Sequence, residues 1–299
     1  MNINVFNESA SIEQFLTSDF FELYIKRDDL IHPIVSGNKW RKLKFVLAHC
    51  KSNNFTEMIT FGGAYSNHTL ACACVCALFD IKLTIVARGE KSEQSNHYQH
   101  FLDAFRARVI YVSRTDYKSK KDILEKLEVN EKNIFVLEEG GKHELANKGC
   151  MEIISSLKQN YDAIFLASGT GTTALGIAKA IDLYKLNTKL FVVPVLKNEL
   201  EIEVLLKDFA FVKVIYDAHY GGYAKTSKAI FDTIDDVLFK YGIMLDPIYT
   251  SKAYIAMMKE KESFSGKKVL FLHTGGTLGL FSKQMIENWD KSKNTFLLK

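Results

Sequence analysis

The chain has 299 residues, 47% hydrophobic and 25% charged, with 39 Lys and Arg against 35 Asp and Glu for a net charge of +4. That balance excludes disordered, collagen-like and coiled-coil readings, and a surplus so small and dispersed lacks the clustered basic face that nucleic acid requires. No run approaches the roughly 18 apolar residues of a membrane span; the longest, Leu70 to Phe79, stops at Asp80. Met1 to Phe15 carries Asn, Glu, Ser and Gln where a secretory signal needs basic residues and then an apolar run, so a cytoplasmic protein is expected.

The first clear helix follows Asn38, where Leu43, Val46, Leu47 and Cys50 recur at i, i+3, i+4 and i+7. From Thr56 onward, apolar runs alternate with helical stretches. The strand-like runs are Met58–Phe61, Leu83–Ala87, Val109–Val112, Ile134–Leu137, Ala163–Ala167, Leu190–Val195, Val212–Tyr216 and Val269–Leu272. Ile230, Ile234, Val237, Leu238 and Tyr241 mark another helix face. Such alternation predicts an α/β protein with doubly wound, mostly parallel sheets covered on both sides. Eight runs are many for one sheet, which favours two α/β units sharing a cleft. A smaller unit is expected at 48–155, and a larger one assembled from 1–47 and 156–299. Cys72, Cys74 and Cys76 lie close in sequence, but with no His or carboxylate among them they read as buried helix packing rather than a metal site.

Four strand-to-helix junctions gather chemistry where open α/β sheets bind ligands. Gly62-Gly63-Ala64-Tyr65-Ser66-Asn67-His68-Thr69 combines two glycines with hydroxyl, amide and imidazole groups; a helix cap alone would need only one of them. Ser168-Gly169-Thr170-Gly171-Thr172-Thr173 opens an apolar helix with glycines and hydroxyls, an anion site built from backbone N–H groups and the helix dipole. The second loop lacks the Lys-Ser/Thr of a P-loop, and no acidic residue ends the next strand, as a dinucleotide site would need. A single phosphate remains. Gly37-Asn38-Lys39 places a lysine at a helix start, which by itself reads as a solvated surface lysine, and His273-Thr274-Gly275-Gly276 offers a strand-end hydroxyl. A lysine able to condense with a carbonyl, a monophosphate loop and strand-end hydroxyls together suggest pyridoxal 5'-phosphate.

With these motifs in order, the chain resembles the 1-aminocyclopropane-1-carboxylate deaminase/D-cysteine desulfhydrase family, whose fold is the tryptophan-synthase-β-like type II of pyridoxal-phosphate enzymes. The resemblance runs from Lys26-Arg27-Asp28-Asp29-Leu30 to His273-Thr274-Gly275-Gly276. It includes Gly37-Asn38-Lys39-x-Arg41-Lys42-Leu43, Gly62-Gly63-x-x-Ser66-Asn67-His68 and Asp246-Pro247-Ile248-Tyr249-Thr250. It implies that Lys39 carries the cofactor and that Asn67 bonds the ring hydroxyl. Ser66 would contact the substrate carboxylate, with His68 and Tyr65 beside it. Gly169, Thr170, Gly171, Thr172 and Thr173 would cradle the phosphate, and Thr274 would approach the pyridine nitrogen. Tyr249 would act in the site, with Tyr220 or Tyr223 as a second tyrosine.

Three departures stand out: Tyr65 where many members carry Gln, Thr172 interrupting the glycine-rich loop, and Gly221-Gly222-Tyr223-Ala224-Lys225 replacing a Gly-x-Pro-Asn stretch; Tyr65 and Tyr223 bear on the substrate. Thr250 and Thr274 stand where ring-opening members carry Glu and Leu. A neutral hydroxyl supports a protonated ring nitrogen less than a carboxylate does. The resemblance therefore implies β-elimination from a small amino acid such as D-cysteine, with ring opening of the cyclopropane substrate or a non-catalytic binding role as alternatives. A homodimer is implied by the family alone.

Overall fold

The computed structural model describes residues 5–16, 18–63, 65–91, 97–129 and 132–294, so Ala64 and the extreme N-terminus lie outside the described residues. In chain order the strands are β1 (Glu13–Leu16), β2 (Glu22–Lys26), β3 (Glu57–Gly63), β4 (Lys82–Arg88), β5 (Arg108–Val112), β6 (Ile134–Leu137), β7 (Ala163–Ser168), β8 (Lys189–Pro194), β9 (Val212–Val214) and β10 (Lys268–Leu272). The helices are α1 (Asn38–Ser52), α2 (Asn67–Leu78), α3 (His97–Ala104), α4 (Lys120–Lys126), α5 (Glu144–Ser155), α6 (Thr172–Leu183), α7 (Glu199–Leu206), α8 (Lys228–Tyr241), α9 (Thr250–Lys259) and α10 (Lys283–Asn294).

The strands form two sheets, one ordered β1-β2-β10-β7-β8-β9 and the other β5-β4-β3-β6. Every pairing is parallel except β1 with β2. Each of the eight apolar runs read from the sequence contains a strand, though β9 stops at Val214, short of Tyr216, and β8 at Pro194. The two missed strands, β1 and β2, lie at one edge of the larger sheet, and their sequences EQFL and ELYIK mix polar with apolar residues. β1 is paired on one side only, and β2, though paired on both, is interrupted by exposed Glu22 and half-buried Tyr24, so neither forms a continuous apolar run.

Each sheet has helices on both faces and hence two apolar layers. For the larger sheet, Phe165, Phe191 and Phe271 point to one layer, with Ile164, Leu190 and Leu270 on the other. On the smaller sheet, Met58, Leu83 and Ile85 pack on α1 and α2, and Ile59, Phe61 and Val86 on the opposite side. Helix α2 is buried nearly all round, Cys72, Cys74 and Cys76 included. All five cysteines are free and buried, and among the described residues no group of three His, Cys, Asp or Glu gathers to hold a metal. No helix of the described residues is long and apolar enough to cross a membrane. The strands β3, β7 and β10 run into the starts of α2 and α6 and into the turn at Gly275, and these three ends share one cleft.

Candidate active site

The cleft has a volume of about 910 Å³ and is lined by Lys39, Ser66, Asn67, His68, the loop from Ser168 to Thr173, Tyr223, Tyr249 and Thr274. Helix α1 is set by Gly37, whose φ of +61° and position against Thr274 admit no side chain: a Cβ there would stand 2.0 Å from the Thr274 carbonyl oxygen. The peptide that begins α1 is thus locked to the end of β10, and Lys39 follows two residues on. Its Nζ donates to Asn38 Oδ1 at 2.8 Å, and Asn38 Nδ2 donates to Thr173 Oγ1 at 3.1 Å. Asn38 therefore ties the lysine to the start of α6. The sequence reading passed over it because a lone Asn at a helix start resembles an ordinary cap. Burial, reinforced by the nearby Lys42 charge, pulls the Lys39 amine down to about 7. Lys42 is also buried and lowered, and its Nζ donates to Gly140 O at 2.8 Å.

At the start of α6 the N-cap is Gly171, in a left-handed conformation with no side-chain cap. A Cβ on Gly171 would meet Leu205 at 2.4 Å and Ile202 at 2.9 Å, so packing against α7 already demands glycine here. Thr170 and Thr172 hydroxyls lie 3.2 Å apart, and Asn198 Nδ2 donates to Gly169 O at 2.9 Å. Ser168 Oγ is buried without a hydrogen-bond partner among the described residues. The phenol of Tyr249 packs over this loop, 3.4 Å from where a Gly169 Cβ would stand.

Across the cleft, Ser66 caps α2, its Oγ accepting from His68 N at 3.2 Å and Thr69 N at 3.4 Å. Asn67 Oδ1 accepts from Tyr98 OH at 2.6 Å, which leaves its amide nitrogen as a donor. His68 is tied inward: its Nε2 pairs with Thr60 Oγ1 at 2.8 Å, while Thr60 donates to Leu137 O. Burial and the Lys39 and Lys42 charges hold its imidazole neutral, well below the usual histidine range. Tyr65 does not line the cleft; it is 45% exposed, its ring edge-on to Tyr98.

Of the two candidate second tyrosines, Tyr223 faces the cleft, its ring 6.4 Å from that of Tyr249, whereas Tyr220 packs on the core beneath. Burial is the first cause that pushes both cleft phenols up, with Asp246 adding to the effect. The two threonines diverge as well. Thr274 lines the cleft, but Thr250 is wholly buried and donates to Asp246 Oδ2 at 2.7 Å. The Asp246 carboxylate further accepts from the backbone N–H groups of Ile248, Tyr249 and Thr250. The pairing of Thr250 with Thr274 expected from the sequence is therefore not what the cleft presents: successive residues at a helix start point about 100° apart, so Tyr249 faces out and Thr250 in.

A family profile described as pyridoxal-phosphate dependent enzyme matches residues 8–275. A protein of Thermotoga maritima named putative 1-aminocyclopropane-1-carboxylate deaminase is 31% identical, over 88% of this chain and 91% of its own. An Arabidopsis thaliana protein named bifunctional D-cysteine desulfhydrase/1-aminocyclopropane-1-carboxylate deaminase is 28% identical over 90% of this chain and 77% of its own. A crystal structure described as an ACC deaminase homologue superposes with a TM-score of 0.78 at 26% identity, covering 91% of this chain and 89% of that one. The profile begins before β1 and ends just past β10, so it takes in both sheets and the strand ends that meet at Lys39. By that match the chain belongs to the pyridoxal-phosphate-dependent enzyme family, in its type II fold.

Proposed function

We propose that the chain is a pyridoxal-phosphate-dependent lyase that β-eliminates thiolate from D-cysteine or a close relative, releasing sulfide and aminoacrylate, which water hydrolyses to pyruvate and ammonia. The residues present fit the cofactor. A buried, readily freed amine at Lys39 lies one hydrogen-bonded residue from an uncapped helix start, and the orphaned Ser168 hydroxyl lies beside it. In this reading Gly169 to Thr173 hold the phosphate through N–H and hydroxyl donors, Asn67 Nδ2 bonds the ring hydroxyl and Lys39 carries the carbonyl carbon. When bound, the cofactor supplies an electron sink for the carbanion that forms at the substrate α-carbon.

The chain's own groups do the rest. Lys39 Nζ, about half of it unprotonated at neutrality, accepts the α-proton. Ser66 Oγ already accepts two backbone N–H groups and so turns its own proton to the substrate carboxylate. Tyr249 and Tyr223 keep their phenolic protons at neutral pH and donate to the departing group.

The observation that carries elimination over ring opening is the corner at the end of β10. It offers the Thr274 hydroxyl, while the carboxylate behind it, Asp246, is turned inward onto four donors. A weakly supported ring nitrogen suits a good leaving group such as thiolate. The relatives' names support both this and a second reading, deamination of 1-aminocyclopropane-1-carboxylate to 2-oxobutyrate in the same site.

A panel of D- and L-amino acids and the cyclopropane acid, assayed for ketoacid and sulfide, decides between them. The elimination reading expects D-cysteine turnover at least tenfold above ring opening. Equal rates, or ring opening alone, would reject the argument from Thr274. The same reading takes residues 48–155 as the smaller unit and 1–47 with 156–299 as the larger. It is supported by β3 to β6 falling within the first and the other strands within the second. It also takes the enzyme as a cytoplasmic homodimer, on family resemblance.

A further inference from the structure

The segment that carries Tyr223 is strained. Between residues 217 and 224, Asp217, Tyr220, Gly221, Gly222 and Ala224 all have positive φ, and three of these are not glycine. Such conformations persist only where the surroundings over-determine them. Three groups do so here. Lys252, on α9 and with no exposed surface, donates from Nζ to His219 O and to Gly222 O, each at 2.9 Å. His219 Nδ1 accepts from Gly221 N at 2.9 Å, and its Nε2 lies 3.3 Å from Glu199 Oε1 at the start of α7. The residue before Glu199 is Asn198, which holds Gly169 of the phosphate loop. A buried ammonium that meets only carbonyl oxygens is costly unless those bonds serve a purpose. Lys252 pins the carbonyls of His219 and Gly222, upstream of Tyr223, from the helix whose N-cap residue is Tyr249.

We propose that Lys252, together with the Glu199–His219 pair, is a positioning device that holds the strained 217–224 turn so that Tyr223 stands opposite Tyr249 across the cleft. The inference rests on the reading that Tyr223 serves the reaction, but the hold on the turn can be measured without turnover. Lys252→Met keeps the length of the stem and removes all three donors. In the cofactor-loaded variant, amide exchange over 219–225 should accelerate at least tenfold, with exchange in the body of α9 and cofactor affinity both within twofold of wild type.

With D-cysteine, kcat should fall about tenfold and KM change little, and the Lys252→Met/Tyr223→Phe double variant should be no slower than Tyr223→Phe alone. Glu199→Ala, on the outer α7, removes the acceptor of His219 Nε2, loosens the same turn and should accelerate exchange there about threefold; it carries the test if Lys252→Met does not fold. Unchanged exchange at 219–225 in the folded variants overturns the proposal, as does a double variant that loses the product of the two single effects. Faster exchange with unchanged kcat supports the hold on the turn and removes Tyr223 from the reaction.

Discussion

Two helix starts face each other across the cleft, and they are finished differently. Both follow a central parallel strand and both carry glycine and hydroxyl residues, but in sequence only the second reads as an anion site, the first gathering hydroxyl, amide and imidazole groups. At α2 the Ser66 hydroxyl satisfies the first free N–H groups, and Asn67 is taken on its oxygen side by Tyr98. At α6 the cap is a glycine with no side chain to offer, and Ser168 behind it has no partner among the described residues. A helix start that caps itself has spent its donors and can only present side chains; one left uncapped keeps N–H groups and dipole for a ligand. On the function proposed above, the pair would divide the work, with α6 holding the dianion and α2 orienting what is attached to it.

Substitutions that act on one helix start and spare the other would break or sharpen this contrast. The largest effect is expected at Gly171→Val. Its side chain would collide with Leu205 and Ile202 in a backbone region closed to β-branched residues, so overpacking and strain together should cost about 3 kcal/mol or more. Cofactor affinity, read by fluorescence titration, should fall by two orders of magnitude.

A second effect concerns the lysine tethered to that end. Because burial lowers the Lys39 amine from 10.5 to about 7, the unfolded chain binds a proton there that the native apoprotein does not. Stability should therefore rise with pH from about 7 toward 10.5, and be lost as pH falls to 7, by at most about 1.4 kcal/mol per unit. Urea unfolding of the apoprotein at pH 7 and 8.5 should show this rise in wild type, and a rise smaller by about 2 kcal/mol in Lys39→Met.

Ser66→Ala removes the α2 cap and should cost roughly 0.5–2 kcal/mol, seen as a lower Tm. KM for the amino acid should rise, and cofactor affinity should hold within twofold. If affinity for the cofactor fell as far as in Gly171→Val, the two helix starts would not be divided in function. Gly63→Ala is the smallest: its Cβ meets nothing within 4 Å, so stability should stay within about 0.5 kcal/mol, and any lost activity reports contact with the ligand.

The contrast between the two ends also marks how far the sequence could be read. The strands from Met58 onward announce themselves because a parallel sheet covered on both faces leaves no polar alternation. The glycine–hydroxyl junctions announce themselves because strand ends with several polar residues have few other uses. What escaped was direction. Thr250 turned onto Asp246, His68 tied to Thr60 and Tyr65 outside the cleft all depend on which way a side chain faces at a turn, and a turn has no period to read. Asn38, Asn198 and Lys252 escaped because each acts through a contact with a residue far along the chain.

The central claim is that Lys39, and not another amine of the cleft, carries the cofactor beside the open end of α6. Lys42 is the internal rival, buried in the same cleft and also lowered, but its amine is held by the Gly140 carbonyl. Borohydride reduction of the cofactor-loaded protein followed by peptide mapping distinguishes the two directly. The account predicts a single phosphopyridoxyl label on Lys39. A label on Lys42 or any other lysine, or none in protein saturated with cofactor, would contradict it.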